Sequence, residues 1–308
     1  MCRRGCVWCG LRLVTASSSN ELSTIVTSLP PSLSVSIVVY RTDLTVLLSA
    51  LHSLLQAVRL ARAAGDLQSV QLDIINNDEP ESGLTALISD LGKEVKEEGL
   101  TEGLALRLLE GHGNVGYGRG HNLSILAANS DYHLILNPDV TLSPQCLRAG
   151  LSYLVKNAAV AALSPAVRDG EGHKQHACKR YPSVLDFLLR GFAPQGIKRA
   201  FNKRLAHYEM RELSEQEPST DIPIISGCFM LFRTAVLRCV GGFDERYFLY
   251  FEDFDLSLRV HEKGALVYLP EMHIIHLGGD TARKGLHHIT MFVRSGVRFY
   301  NTHGWRFL

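Results

Sequence analysis

Three carboxylates stand together at Glu252, Asp253 and Asp255, just after the aromatic residues Phe243, Tyr247, Phe248, Tyr250 and Phe251. Acids behind a wall of rings lose water and repel one another, and both effects raise their affinity for a proton. Groups of that kind suit general-base work or cation binding. At a helix start, acids are also what the helix dipole favours. A second oxygen-rich pair, Asn137 and Asp139, flanks Pro138. Two such side chains in a turn can hold Mg2+ or Mn2+ while a diphosphate supplies the other ligands. Asn-Pro-Asp is equally an ordinary turn former. His276, followed by Leu277, Gly278 and Gly279, stands where a ligand could come close to the backbone. The glycine-dense stretch 111–120, with Gly116, Gly118 and Gly120, can cradle a pyrophosphate or simply make a tight strand-to-helix turn.

These candidates need a frame that collects them. Residues 35–40 are a β-branched run typical of a buried parallel strand. Thr42 or Asp43 can cap a helix over 44–64, whose apolar face carries Leu47, Leu51, Leu54 and Val58. Further strands are predicted at 70–75, 104–109 and 132–136, with helices at 84–98 and 121–129. That alternation predicts an α/β fold: a mainly parallel sheet with helices on both faces. In such sheets ligands sit beyond the carboxyl ends of the strands. Tyr40, Asn76, the glycine stretch, Asn137 and Asp139 all fall there, so one crevice should gather them. Beyond it, 228–232 reads as a buried strand and 253–263 as a helix closed by Gly264. Two more strands are expected at 265–269 and 272–276.

With 308 residues, the chain can form one large domain or two small ones. Its 32 basic and 31 acidic residues leave a net charge of +1, which gives no electrostatic reason to bind nucleic acid. No apolar run reaches the roughly 18 residues of a membrane span, so a soluble, cytoplasmic protein is expected. Seven cysteines, clustered at Cys2, Cys6 and Cys9 and otherwise scattered, fit reduced thiols. Residues 1–32 carry no periodicity and are expected to form a loose extension. Segment 187–205, inside an irregular insertion at 177–222, mixes apolar residues with Arg190, Lys198, Arg199, Lys203 and Arg204. Such a segment can lie peripherally on the inner face of a cell membrane, or pack as a solvated helix. The tail 281–308 repeats this basic-aromatic character.

Taken together, these residues resemble the family-two inverting glycosyltransferases of GT-A (Rossmann-like) fold, especially the rhamnosyltransferase-like branch. The resemblance runs in register through the strand ending at Tyr40, Ile74-Ile-Asn-Asn-Asp78, Gly113-Asn-Val-Gly-Tyr-Gly-Arg-Gly-His-Asn122, Leu136-Asn-Pro-Asp-Val140, Gly241-Gly-Phe-Asp-Glu245, Tyr250-Phe-Glu-Asp-Phe-Asp-Leu256 and His276. It implies one domain over 33–280, with a nucleotide-sugar half (33–145) and an acceptor half (146–280). By resemblance, Asp139 binds Mg2+ or Mn2+, with Asn137 in the first position of that motif and His276 as a further metal or diphosphate contact. Asp253 would be the general base, with Glu252 beside it at the acceptor. Tyr40 and Asn76 would frame the donor base, and Asn114, Gly116 and Gly118 belong to the donor loop. The implied reaction moves a sugar, rhamnose among the candidates, from a nucleoside-diphosphate sugar to a hydroxyl of a glycan or lipid-linked acceptor in cell-surface polysaccharide synthesis. One departure stands out: the family usually has Asp where this chain has Asn76. An amide oxygen can still accept a base's imide hydrogen, but the amide also donates, which leaves the choice of nucleotide open. Two other classes remain: a dinucleotide-dependent oxidoreductase, and a non-catalytic sugar-nucleotide or glycan-binding relative. The first would want its glycine loop after the first strand, and here it follows the third. The second would lack a working base, against which the intact Glu252-Asp253 pair counts.

Overall fold

The computed structural model describes residues 29–80, 82–97, 99, 102–278 and 286–308. Cys2, Cys6, Cys9 and nearly all of the expected 1–32 extension lie outside the described residues. The first half runs β1 (Ser32–Val39), α1 (Leu44–Ala63), β2 (Ser69–Asn76), α2 (Ser82–Glu97), β3 (Leu104–Leu109), α3 (Tyr117–Ile125), β4 (Tyr132–Leu136) and β5 (Val140–Leu142). Next come α4 (Cys146–Lys156), β6 (Val160–Arg168), β7 (Lys174–Gln175), β8 (Cys178–Lys179), α5 (Val184–Phe192), α6 (Gln195–Ala200) and α7 (Asn202–Tyr208). The chain continues through β9 (Ile224–Ile225), β10 (Phe229–Arg233), α8 (Thr234–Cys239), α9 (Glu252–His261), β11 (Ala265–His276) and α10 (Leu286–His303).

Among the described residues one nine-stranded sheet has the order β3-β2-β1-β4-β10-β6-β11-β5, with β7 on β6. Strands β1 to β4 are mutually parallel, as the alternation predicts. Strand β10 enters antiparallel between β4 and β6, and β5 pairs antiparallel with β11. Residues on both sides of position 145 therefore share a single sheet. Leu33, Val35, Ile37 and Val39 of β1 join Leu47, Leu51 and Leu54 of α1 in the main core. Asp43 caps α1, its Oδ1 accepting from the amides of Thr45 (2.8 Å) and Val46 (3.4 Å). By length and composition α1 could cross a membrane, but half of its apolar window is buried in the fold.

Three expectations change, and one element is added where the sequence reading placed none. Helix α3 begins at Tyr117, four residues before the expected start, because Gly118 and Gly120 lie inside the helix. They allow close packing rather than a loop: a Cβ on Gly118 would sit 2.8 Å from Phe243 Cβ, and one on Gly120 2.9 Å from Val38 Cγ2. Helix α9 ends at His261 with Glu262, rather than Gly264, as its C-cap; Gly264 instead lets the chain pass Ala159 and Ala161, each 3.0 Å from a Cβ built there. The two strands expected around Pro270 are one, β11, whose register against β6 shifts between Leu269 and His273. The tail contains a helix, α10, whose Phe292 and Phe299 pack against Phe251 at ring distances of 5.0 and 5.3 Å.

Candidate active site

Beyond the carboxyl ends of β1 and β4 lies a crevice of about 790 Å³. Its walls include Tyr40, Arg41 and Asp43 after β1, Asn77 after β2, Asn114, Gly116 and Tyr117 at the entry to α3, and Asn137, Pro138 and Asp139 after β4. Phe248, His288 and Met291 close it from the other half of the chain. Gly116 shapes the entry to α3. Its φ of 90° is left-handed, and a Cβ would lie 2.5 Å from the Phe248 carbonyl oxygen; glycine alone meets both demands. Two amides there are already used, Gly116 N donating to Asn114 Oδ1 (3.1 Å) and Tyr117 N to Phe248 O (3.0 Å). This start of α3 is tied into the protein, unlike the open amides of a dinucleotide-binding turn.

Asp139 faces His276 across the β5–β11 pairing, Oδ1 to Nε2 3.5 Å. Burial raises the Asp139 carboxyl, but the hydrogen bond and charge of His276, with backbone donors, outweigh it and hold the acid below its ordinary value. Asp139 is thus a ready anion at the strand-end side of the crevice, while the Asp43 carboxylate is occupied in capping α1. The pair offers one carboxylate oxygen donor and one imidazole nitrogen, and no group of three or more His, Cys, Asp or Glu suited to a metal occurs among the described residues. Such a sparse set fits Mg2+ or Mn2+ held jointly with substrate phosphates, the usual mode for Mg2+.

Tyr117 joins this corner to the acid pair. Its hydroxyl lies 3.0 Å from Asn137 Oδ1 and 2.7 Å from the Gly227 carbonyl oxygen. Gly227 N in turn donates to Asp253 Oδ2 (2.9 Å), and Phe254 N donates to Asp253 Oδ1 (3.0 Å). Glu252 is buried, and its Oε2 has no hydrogen-bond partner among the described residues. Burial pushes Glu252 up, and the adjacent Asp253 charge adds to it; burial raises Asp253 as well, against its backbone donors. Burial, with the charges of Glu252 and Asp253, also drives the Tyr117 hydroxyl well above its ordinary value, so it stays protonated. The third acid, Asp255, is engaged elsewhere, paired with Arg259 (2.7 Å) and 2.8 Å from His303 Nε2.

The aromatic wall divides. Phe243 packs edge-on to Tyr117 with centroids 5.9 Å apart, Tyr247 and Phe251 are buried in a satellite cluster with Phe299 and Tyr300, and Phe248 faces the crevice. Tyr250 and Phe251, at φ 72° and 67°, adopt left-handed backbone just before α9. Such strain costs roughly 1–2 kcal/mol per residue. The Phe187, Phe292 and Phe299 rings around Phe251 hold it in place and so aim the acid pair.

Of the residues singled out in the sequence, Tyr40, Asn114, Gly116, Asn137 and Asp139 line the crevice, and His276 abuts it through Asp139. Glu252 and Asp253 stand behind Tyr117. Asn76 is buried, its amide folded into its own turn: Oδ1 accepts from Asp78 N (3.0 Å) and Nδ2 donates to Glu79 O (3.4 Å). Its neighbour Asn77 is on the crevice wall instead, donating to Gly116 O (2.9 Å) and meeting His112 through Oδ1 (3.0 Å). Gly118 is turned to Phe243, away from the crevice. Tyr117, Asn77, His288 and Met291 were missed. The first two sit inside quoted motifs; for His288 and Met291 the sequence carried no signal.

Residues 34–241 match the glycosyl transferase family 2 pattern. The chain belongs to that family. It is 32% identical over 187 residues to the N-acetylglucosaminyl-diphospho-decaprenol L-rhamnosyltransferase of Mycobacterium tuberculosis, spanning 56% of this chain and 58% of that protein. It is 30% identical over 171 residues to the rhamnosyltransferase WbbL of Escherichia coli, spanning 52% of this chain and 61% of that one. Each match thus covers less than two thirds of the curated relative. Solved structures share the GT-A fold. GalNAc-T7 with UDP, GalNAc and Mn2+ superposes with a TM-score of 0.59 at 13% identity, over 88% of this chain and 48% of that one. The mannosyltransferase PcManGT of Pyrobaculum calidifontis, with GDP-Man and Mn2+, gives 0.53 at 14% identity, over 82% and 58%.

Proposed function

We propose that the chain is an inverting glycosyltransferase that moves a sugar, rhamnose first among the candidates, from a nucleoside-diphosphate sugar to a hydroxyl of a glycan or lipid-linked acceptor. The observation that carries this reading is the bridge at Tyr117, whose hydroxyl meets Asn137, two residues before Asp139, on one side and the Gly227 turn that holds Asp253 on the other. The family membership and the printed activities of the relatives support it.

In this reading the donor lies along the crevice, with its base toward Tyr40 and Asn77 and its diphosphate toward Asp139 and His276. A divalent cation, Mg2+ or Mn2+, would be held by Asp139 and His276 and would neutralise the departing diphosphate as a Lewis acid. Asp253, its proton affinity raised by burial, takes the proton of the acceptor hydroxyl. That oxygen attacks the anomeric carbon from the face opposite the diphosphate, the carbon–oxygen bond to the diphosphate breaks, and the configuration inverts. Tyr117, kept protonated, fixes Asn137 and the Gly227 turn that orients Asp253. Glu252, buried beside it, opposes premature ionisation of the pair. Two positions stay with this proposal: the domain span 33–280, and peripheral membrane contact by 187–205 on the cytoplasmic side. In that segment Phe187, Leu189 and Leu205 turn inward, while Leu188, Ile197 and Phe201 are exposed.

A donor screen tests the reading. Nucleoside-diphosphate release should be measured across dTDP-, UDP- and GDP-sugars with Mn2+, and across NAD as a control. Release from one sugar nucleotide, stimulated by acceptor, is expected. Binding of NAD with no response to any sugar nucleotide would overturn it.

A further inference from the structure

Helix α10 shows different sides to its surroundings. His288 and Met291 reach the crevice wall, and Phe292 and Phe299 face the aromatic cluster. Ile289, Val293 and Val297 stand 41, 55 and 43% exposed. A spacing of four puts them on one face of the helix, one above another. The tail carries this surface onward. Tyr300 stacks on Trp305 with centroids 5.1 Å apart, and Trp305 on Phe307 at 5.4 Å. Trp305 Nε1 donates to Asn301 Oδ1 at 2.9 Å. Backbone bonds pin the tail to α5, Val184 N donating to Arg306 O (2.8 Å) and Leu185 N to Phe307 O (3.2 Å). One turn along α5 from Leu185, Leu188 is also exposed. Scattered apolar residues on a surface need no explanation, but a row that is stacked and pinned in place does.

Charge says what this face fits. Residues 286–308 contain Arg294, Arg298, Arg306 and three histidines, and no Asp or Glu. Residues 184–211 add six Lys or Arg against Asp186 and Glu209. Arg199, Lys203, Arg294 and Arg306 are exposed. Aromatic and branched apolar side chains rimmed by cations suit the boundary between headgroups and acyl chains of an anionic bilayer. A second copy of the chain could cover the same apolar row, but a two-fold contact would set these arginines against one another.

We propose that the exposed stripe of α10, the stacked tail and Leu188 of α5 form one docking face that seats the chain peripherally on an anionic membrane. Its purpose, to bring a lipid-linked acceptor to the crevice that α10 also walls, rests on the function proposed above; the binding itself does not.

The test is flotation of the whole chain with vesicles of phosphatidylcholine, alone or with about 30% phosphatidylglycerol. The chain should float with the anionic vesicles, far less with the neutral ones, and progressively less as salt screens the contact. Val293→Glu with Val297→Glu should cut the bound fraction at least ~10-fold, with the circular dichroism spectrum and unfolding midpoint retained. Arg294→Glu with Arg306→Glu should remove the preference for anionic lipid. The proposal is overturned if the unsubstituted chain does not float, or if both double variants float as well as it does. It is also overturned if the chain is a dimer in solution that the valine variant dissociates without any vesicle binding. Flotation needs no turnover, so a chain that floats but transfers no sugar keeps this docking face and loses the proposed function.

Discussion

For the general-base role proposed for Asp253, the useful property is reluctance to ionise. A general base works only when deprotonated, so a carboxyl raised above its ordinary ~3.9 makes the rate fall as pH drops through that raised value. The acid limb of kcat/KM should therefore lie above the usual carboxylate range. Asp253→Asn should lower kcat ~100-fold or more and abolish that limb, with donor binding retained because it involves no proton transfer. A dead Glu252→Gln beside an active Asp253→Asn would reverse the two roles. Asp139 sits at the opposite extreme, held ionised by His276. Asp139→Ala should cut transfer by at least ~100-fold and abolish the Mn2+ dependence of donor binding, read by calorimetry with and without the metal. Full activity of the unsubstituted chain in excess chelator would remove the metal from the proposal.

Helix α3 separates what propensity favours from what packing allows. Alanine outscores glycine inside a helix by ~1 kcal/mol, yet a Cβ on Gly118 would press on Phe243 at 2.8 Å. Overpacking of this kind costs ~1–3 kcal/mol, so Gly118→Ala should lower the urea midpoint. Gly92 in α2 has nothing within 4 Å of its would-be Cβ, and Gly92→Ala should raise stability by ~0.4–1 kcal/mol. The same contrast shows how far the sequence could be read. Strands β1 to β4 and their parallel alternation with helices were legible because short apolar runs end in turn residues. The start of α3 was not, since glycines that serve close packing look like a loop. Pro270 read as a break, while a register shift carries β11 through it. Between Asn76 and Asn77, residue type could not say which would leave the strand facing the crevice. Helix α10 was hidden because its rings face the core and its valines face outward, which blurs any apolar periodicity.

Two sets of buried groups give the whole molecule opposing responses to pH. His121 and His133 are fully buried between β1, β4 and α3, where Ser36 Oγ lies 2.7 Å from His121 Nδ1 and 2.9 Å from His133 Nε2. Burial keeps both neutral: His133 is lowered to about 3, and His121, further repelled by His133, lies well below its ordinary value. A depressed histidine contributes stability above its unfolded pKa of ~6.5 and loses it as pH falls below that, at ~1.4 kcal/mol per pH unit for each ring. Glu252 acts the other way. Its raised carboxyl contributes stability below an unfolded pKa of ~4.3, and that is lost as pH rises through the folded value. Between pH ~5.5 and ~7.5 the two trends partly cancel, and the urea midpoint of the unsubstituted chain should change little. Glu252→Gln removes one trend: it should stabilise the chain at the alkaline end and expose a loss of ~2–3 kcal/mol on acidification to pH ~5.5. Adding His133→Gln should then halve that slope, because one of the two neutral rings is gone. A midpoint that stays flat with pH in Glu252→Gln would mean that the histidines do not govern the acid side of the stability curve.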